Sequence, residues 1–200
     1  VITGKPVELG GSLGRTEATG YGLIYQLREA LKEMDIDITK AKAAIEGFGN
    51  VAQYAAELFI VYGGTVVCVS CWDQKDGKAY SYYKEDGFDL EALRNITDRF
   101  GTIAEKLGYK RMEGKKWLTH DVDILIPAAL ENSITEENMK EIKKNIKIII
   151  AGANGPITPE AEDYLTEKGV IVVPDFLANA EGVVCSYFEQ VQSNHNYYWT

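Results

Sequence analysis

From residue 41 onward, short runs that are apolar at nearly every position alternate with segments of helical period. A strand with one face in water alternates polar and apolar residues, whereas a run apolar throughout must be covered on both faces. The runs at 41–45, 65–70, 122–126, 147–151 and 170–173 are of the second kind. Helices between successive strands supply the cover, so the chain is expected to form a doubly wound α/β sheet, mostly parallel. No repeat or low-complexity tract competes with that reading.

The first junction of the series is the most informative. Residues 44–52 read Ala-Ile-Glu-Gly-Phe-Gly-Asn-Val-Ala, and Ala55, Leu58 and Phe59 continue at helical spacing. Strand, glycine turn and helix in that order form the phosphate-binding turn of a Rossmann-like fold, in its G-x-G-x-x-A form. Gly47 permits the tight turn, and Gly49 lets the backbone approach a pyrophosphate. Ala52 allows close packing of helix on strand. The unpaired N–H groups that open the helix, near Phe48, Asn50 and Val51, offer partial positive charge to phosphates.

The remaining elements follow from local signals. A glycine-rich entry loop to Gly14 precedes a helix over 17–34, with Ile24, Leu27, Leu31 and Met34 on one side. The helix after the glycine turn stops at Gly63-Gly64. Asp76-Gly77 predicts a turn that folds 79–83 back as a short edge strand. A helix is expected over 89–100, and 102–119 receives no element. Thr135 and Asn138 open a polar helix to about 145. Thr158-Pro159 caps a helix to Lys168, with Gly169 as its stop. A last helix begins near Gly182. Residues 1–40 are thus an entry loop and helix, and 41–200 the alternating strands and helices of one dinucleotide-binding domain.

Net charge is −9, with no lysine- or arginine-rich block, which argues against a nucleic-acid partner. No apolar run is long enough to cross a bilayer, and no signal peptide is visible. Three cysteines, without metal-ligand spacing, are expected to be reduced thiols in a cytoplasmic protein. The first residue is Val1, not methionine, so something is expected to precede it.

In a sheet of this kind, ligands lie beyond the carboxyl ends of the strands. The loops there, at 47–50, 71–73, 127–130, 152–156 and 176–182, are rich in small or amide-bearing residues. Ala128 and Ala129 leave room for a flat ring or ribose. Asn50, Asn154 and Asn179 donate and accept hydrogen bonds without bringing charge. Turn-making alone accounts for any one of these loops, but less readily for all of them. The acid that reads a ribose is expected about 20 residues after the glycine turn, where Cys71 stands. Asp73, two residues on, either fills that role or simply makes the turn. With no arginine beside it in sequence to hold a 2′-phosphate, NAD is favoured over NADP. Val183 and Ser186 share one face near a helix start. A carboxylate ligand there competes with a plain backbone contact of the serine. His120 and His195 have no matching nucleophile.

Taken together, these residues resemble the cofactor-binding domain of the glutamate dehydrogenases, within the Glu/Leu/Phe/Val dehydrogenase family. The matching pieces are 4–20 (Gly-Lys-Pro-Val-Glu-Leu-Gly-Gly-Ser-Leu-Gly-Arg-Thr-Glu-Ala-Thr-Gly), 47–51, 127–130, 152–156 and 179–189, in the family's order along the whole chain. The resemblance implies reversible oxidative deamination of L-glutamate to 2-oxoglutarate and ammonia. It also implies roles. Thr19 would hold the nicotinamide carboxamide, with Arg15 supporting the site, and Asn50 would meet the pyrophosphate. Asn154 and Asn179 would lie at the nicotinamide ribose and ring, Ser186 would bind the substrate's side-chain carboxylate, and Val183 would be its apolar neighbour. Cys71 stands where many members carry an aspartate. The family's catalytic lysine and aspartate belong to an N-terminal substrate domain, so this chain holds no catalytic residue and is expected to be inactive alone. Its parent would be a homohexamer. A non-catalytic NAD(H)-sensing module and a dehydrogenase for another amino acid are the alternatives.

Overall fold

The structure, a computed structural model, describes residues 2–98, 101–103 and 109–199. Among the described residues, seven strands form one sheet in the order β4-β3-β2-β1-β5-β6-β7. They are β1 (Lys42–Glu46), β2 (Thr65–Asp73), β3 (Lys78–Tyr83), β4 (Lys110–Glu113), β5 (Ile124–Pro127), β6 (Ile148–Ile150) and β7 (Ile171–Val173). β1 pairs in parallel with both β2 and β5, and the parallel run continues through β6 to β7. β3 and β4 add on antiparallel beyond β2.

Helices cover both faces, as the evenly apolar strands require. On one side α1 (Ala18–Glu33), α2 (Asn50–Val61) and α3 (Leu90–Asn95) flank a core that contains Leu23, Leu27, Phe59, Ile45, Val69 and Ile126. On the other, Trp117, Leu118 and α4 (Pro159–Glu167) enclose Ala44, Cys68, Leu125 and Ile149. α5 (Asp175–Ala178) and α6 (Ala180–His195) follow β7. The Thr158 hydroxyl accepts from Ala161 N, and Pro159 opens α4, as its sequence predicts.

Several expectations are corrected. The strand over 79–83 is not at the edge, because β4, from the stretch given no element, pairs along its outer side. The polar helix expected from Thr135 is only a 3-10 turn over Met139–Glu141. There the Asn138 amide accepts from Thr135 N and donates to Ser133 O, so its side chain competes with helical hydrogen bonding. The helix over 89–100 ends at Asn95, with 99–100 outside the described residues. The last helix begins at Ala180, directly after α5, not at Gly182.

β2 carries a bulge. Ala43 pairs with Val66 but Ala44 with Cys68, so Val67 is the extra residue. One added residue exchanges the faces of everything after it. Val69 and Cys71 therefore join the core beneath α1 and α2, and Asp73 follows them to that side by alternation.

Candidate cofactor cleft

The strand order reverses at β1, which has β2 on one side and β5 on the other. Between the ends of β1 and β5 the two exit loops separate, and a cleft opens at that point. Gly47 has a φ of +90°, a conformation that costs other residues strain. A Cβ on it would also stand 3.0 Å from Ala128 O in the facing loop. Gly49 differs. Its φ is −78°, and a Cβ there would meet nothing within 4 Å. Among the described residues, nothing fills the space beside Gly49. α2 starts at Asn50 with no side chain capping it and no acid in its first turn, so its N–H groups face that space unneutralised.

The cleft has two lobes that share Ala128, Ala129 and Leu130. One, of about 520 Å³, lies against Gly47, Phe48, Gly49, Cys71 and Trp72. The other, of about 580 Å³, is lined by Arg15, Thr19, Val51, Asn154, Asn179 and Val183, among others. Asn179 Nδ2 donates to Asn154 Oδ1 at 2.7 Å, tying the loop after β6 to the start of α6. A Cβ on Gly182 would run into Thr19 Oγ1. That close approach is what lets α1 and α6 form one wall. Arg15 Nε donates to Ser186 Oγ at 2.6 Å, placing a cation and a hydroxyl side by side at this end. Val183 is 73% exposed.

Two of the expected site residues, Asn50 and Asp73, are placed differently, and the contact of a third, Ser186, is resolved. The Asn50 side chain turns away from the glycine turn and donates to Thr16 O at 2.6 Å, leaving its backbone N–H as the group at the helix start. Asp73 lies in a neighbouring pocket of about 200 Å³ instead of either lobe. Its Oδ1 accepts from the backbone N–H of Lys75 (2.8 Å) and Asp76 (3.3 Å), so the turn-making reading of this aspartate is realised. Its Oδ2 stands 3.8 Å from Arg111 Nη2. Ser186 meets Arg15 and not helix backbone.

Two residues near the cleft escaped sequence reasoning. Arg111 arrives beside Asp73 from β4, and its signal in sequence is only a basic pair, Lys110-Arg111, complementary to the acidic 73–76 turn. Glu46 closes β1 with a buried carboxyl whose Oε2 has no hydrogen-bond partner among the described residues. Burial holds its pKa above the ordinary 4.5, against the opposing pull of Ser133 and Lys115. His120 lies outside both lobes, stacked on Tyr83 at 4.4 Å. Burial and then Lys110 and Lys143 lower its pKa, which favours the neutral imidazole. Among the described residues no cluster of acids, histidines and cysteines could hold a metal ion. None of the described helices is long and apolar enough to cross a membrane.

A mostly parallel sheet with a glycine turn at its switch point, and a two-lobed cleft above it, defines a Rossmann-like α/β domain. The chain belongs to the Glutamate/Leucine/Phenylalanine/Valine dehydrogenase family, whose model matches residues 10–200. It is 47% identical over 200 residues to the NAD-specific glutamate dehydrogenase of Clostridioides difficile, a match covering all of this chain and 47% of that protein. The glutamate dehydrogenase of Thermotoga maritima is 46% identical over 200 residues, covering 100% of this chain and 46% of that one. The crystal structure of glutamate dehydrogenase from Peptoniphilus asaccharolyticus superposes with a TM-score of 0.78 at 41% identity, over 99% of this chain and 44% of that one. The chain thus spans about half the length of the curated relatives it matches.

Proposed function

We propose that this chain is the cofactor-binding half of an NAD-linked glutamate dehydrogenase, which converts L-glutamate, NAD and water to 2-oxoglutarate, ammonia and NADH. The observation that carries the reading is the run of the cleft. It extends from a glycine turn whose Gly49 opens to empty space, along Ala128 and Ala129, to the Arg15–Ser186 pair. The names of the relatives from Clostridioides difficile and Peptoniphilus asaccharolyticus, both NAD-specific glutamate dehydrogenases, support the choice of cofactor and substrate.

The residues present fit a dinucleotide. Gly47, Gly49 and the N–H groups that open α2 would hold the pyrophosphate, and the Asn154–Asn179 pair and Thr19 the nicotinamide end. Bound there, the cofactor supplies the hydride acceptor, a chemistry that needs no acid or base from this domain. Arg15 and Ser186 would receive the side-chain carboxylate of the substrate, the guanidinium adding charge to the hydroxyl's hydrogen bond. That pair favours an acidic amino acid over the leucine, phenylalanine and valine also in the family's name.

The cleft is open where a second wall would close it, and among the described residues no group is assigned the proton transfers. A lysine- and aspartate-bearing N-terminal domain is proposed to do so in a homohexameric parent, with this chain inactive by itself. Titration with NADH, followed by nicotinamide fluorescence, tests the cofactor reading, and an absence of saturable binding would reject it. Joining the chain to such a domain and assaying glutamate against leucine and valine tests the rest.

A further inference from the structure

The sequence shows no arginine next to Asp73, but the sheet supplies one. β2 pairs with β3 through Asp73 and Lys78, and β3 pairs with β4 through Tyr82 and Arg111. Arg111 is thereby laid across the Asp76-Gly77 hairpin, its guanidinium carbon 3.6 Å from the centre of the Tyr80 ring. Its Nη2 stands 3.2 Å from Asp76 Oδ2 and 3.8 Å from Asp73 Oδ2. The other oxygen of Asp73 is engaged by the turn's own N–H groups, and the Tyr80 hydroxyl donates to Asp76 Oδ2 at 2.7 Å. Aromatic stacking and two carboxylates hold the guanidinium in one orientation.

We propose that Arg111, neutralised by Asp73 and Asp76, is the residue on which the choice between NAD and NADP turns; this rests on the reading of the cleft as a dinucleotide site. Asp73 and Thr102 line the pocket beside Arg111, and their chain neighbours Trp72, Gln74 and Gly101 line the glycine-turn lobe, at the end of β2 where an adenosine ribose lies in such folds. Among the described residues, Lys75, Arg111, Asp73 and Asp98 are the charged groups lining that pocket, and Asp76 pairs with Arg111 from the hairpin. A ribose diol can donate to the Asp73 carboxylate in that setting, while a 2′-phosphate would be repelled by Asp73 and would meet a guanidinium already engaged by Asp76. With the charges of Asp73 and Asp76 removed, Lys75 and Arg111 would favour a phosphate, the guanidinium still stacked on Tyr80. NAD is selected by the occupation of an arginine, not by the lack of one.

The test is titration of the chain with NADH and NADPH, by nicotinamide fluorescence. Three forms are compared with the unaltered chain: Asp76→Asn, Asp73→Asn with Asp76→Asn, and that pair combined with Arg111→Met. Asparagine at 73 keeps an oxygen for the turn's N–H groups, and position 76 is on the surface, so the fold is retained. The paired substitution is expected to shift the NADPH-to-NADH affinity ratio toward NADPH by about tenfold or more, the equivalent of roughly 1.4 kcal/mol. Asp76→Asn alone should give part of that shift, and adding Arg111→Met should remove it. A ratio unmoved by the paired substitution overturns the proposal, as does a gain that survives loss of Arg111. If the unaltered chain binds neither cofactor, the cofactor reading itself fails and takes this proposal with it. If it binds NADH and only the ratio stays fixed, the proposal fails alone.

Discussion

Arg15 Nε stands 2.6 Å from Ser186 Oγ, a hydrogen bond that joins the turn before α1 to the second turn of α6. Neither residue alone marks a substrate site; a serine early in a helix ordinarily bonds backbone. Side by side, with Arg15 lining the cleft, they would present a cation and a hydroxyl to one ligand group under the proposed reading. Ser186→Ala in an enzyme rejoined to its substrate domain is expected to lower kcat/KM for glutamate by roughly 10- to 100-fold, the loss of one hydrogen bond to a charged group. NADH affinity should hardly change. Unaltered glutamate kinetics would remove the carboxylate role.

The two glycines of the turn predict opposite phenotypes. Gly47→Ala forces a side chain into a φ of +90° and to within 3.0 Å of Ala128 O. It should therefore destabilise the fold by about 1–2 kcal/mol. Gly49→Ala meets no atom within 4 Å and an ordinary φ, so stability should stay within ~0.5 kcal/mol. Its methyl would nevertheless occupy the pyrophosphate's space and weaken NADH binding, on the order of tenfold. Urea denaturation and NADH titration of both variants separate the effects. Equal binding by Gly49→Ala and the unaltered chain would move the phosphates elsewhere.

Glu46 links stability to pH. Its folded pKa lies above the ordinary 4.5 because burial penalises the charged carboxylate. The folded state therefore holds its proton more tightly than the unfolded state, and its contribution to stability declines as pH rises from 4.5 through the raised value. Glu46→Gln keeps the shape without the charge. The variant's stability gain over the unaltered chain should grow across that interval and then level. A gain that is the same at every pH would mean that Glu46 does not titrate in the fold.

Glu189 titrates with the opposite sign. Its side chain is fully buried on α6, and it accepts from Lys5 Nζ at 2.6 Å and from the backbone N–H groups of Gly4 and Lys5. Burial pushes its pKa up, but the hydrogen bonds from Lys5 and Gly4 and the Lys5 charge outweigh it and bring the carboxyl down to about 2. The stabilisation is complete above the ordinary 4.5 and is lost as pH falls toward about 2. Acid should therefore release the N-terminal segment from α6, seen as faster proteolysis near Gly4. Glu189→Gln should release it already at neutral pH. If the segment stays equally protected in that variant, the contact does not hold it.

Most of the frame was legible because it rests on local rules. Evenly apolar runs announce strands covered on both faces, Gly47 and Gly49 sit between strand and helix, and Thr158-Pro159 caps α4 as its residue types dictate. Errors fell where side chains or distant strands intervened. Thr135 and Asn138 looked like a helix start, but the Asn138 amide closed a turn on Thr135 and Ser133 instead. The 102–119 stretch had no clear period because β4 is short and half-exposed, and is held by its pairing with β3.

The glycine turn, the strand series and the small-residue loops were determined by sequence alone, since each depends on neighbours within a few residues. Where Asp73 points, and what it meets, was not. The extra residue at Val67 chooses the face of β2 on which Cys71 and Asp73 lie, and two antiparallel pairings bring Arg111 to Asp73 and Asp76. A bulge is fixed by the register of paired strands, and a cross-sheet ion pair by the order in which strands assemble. Both are properties of the folded sheet, with no local pattern to announce them.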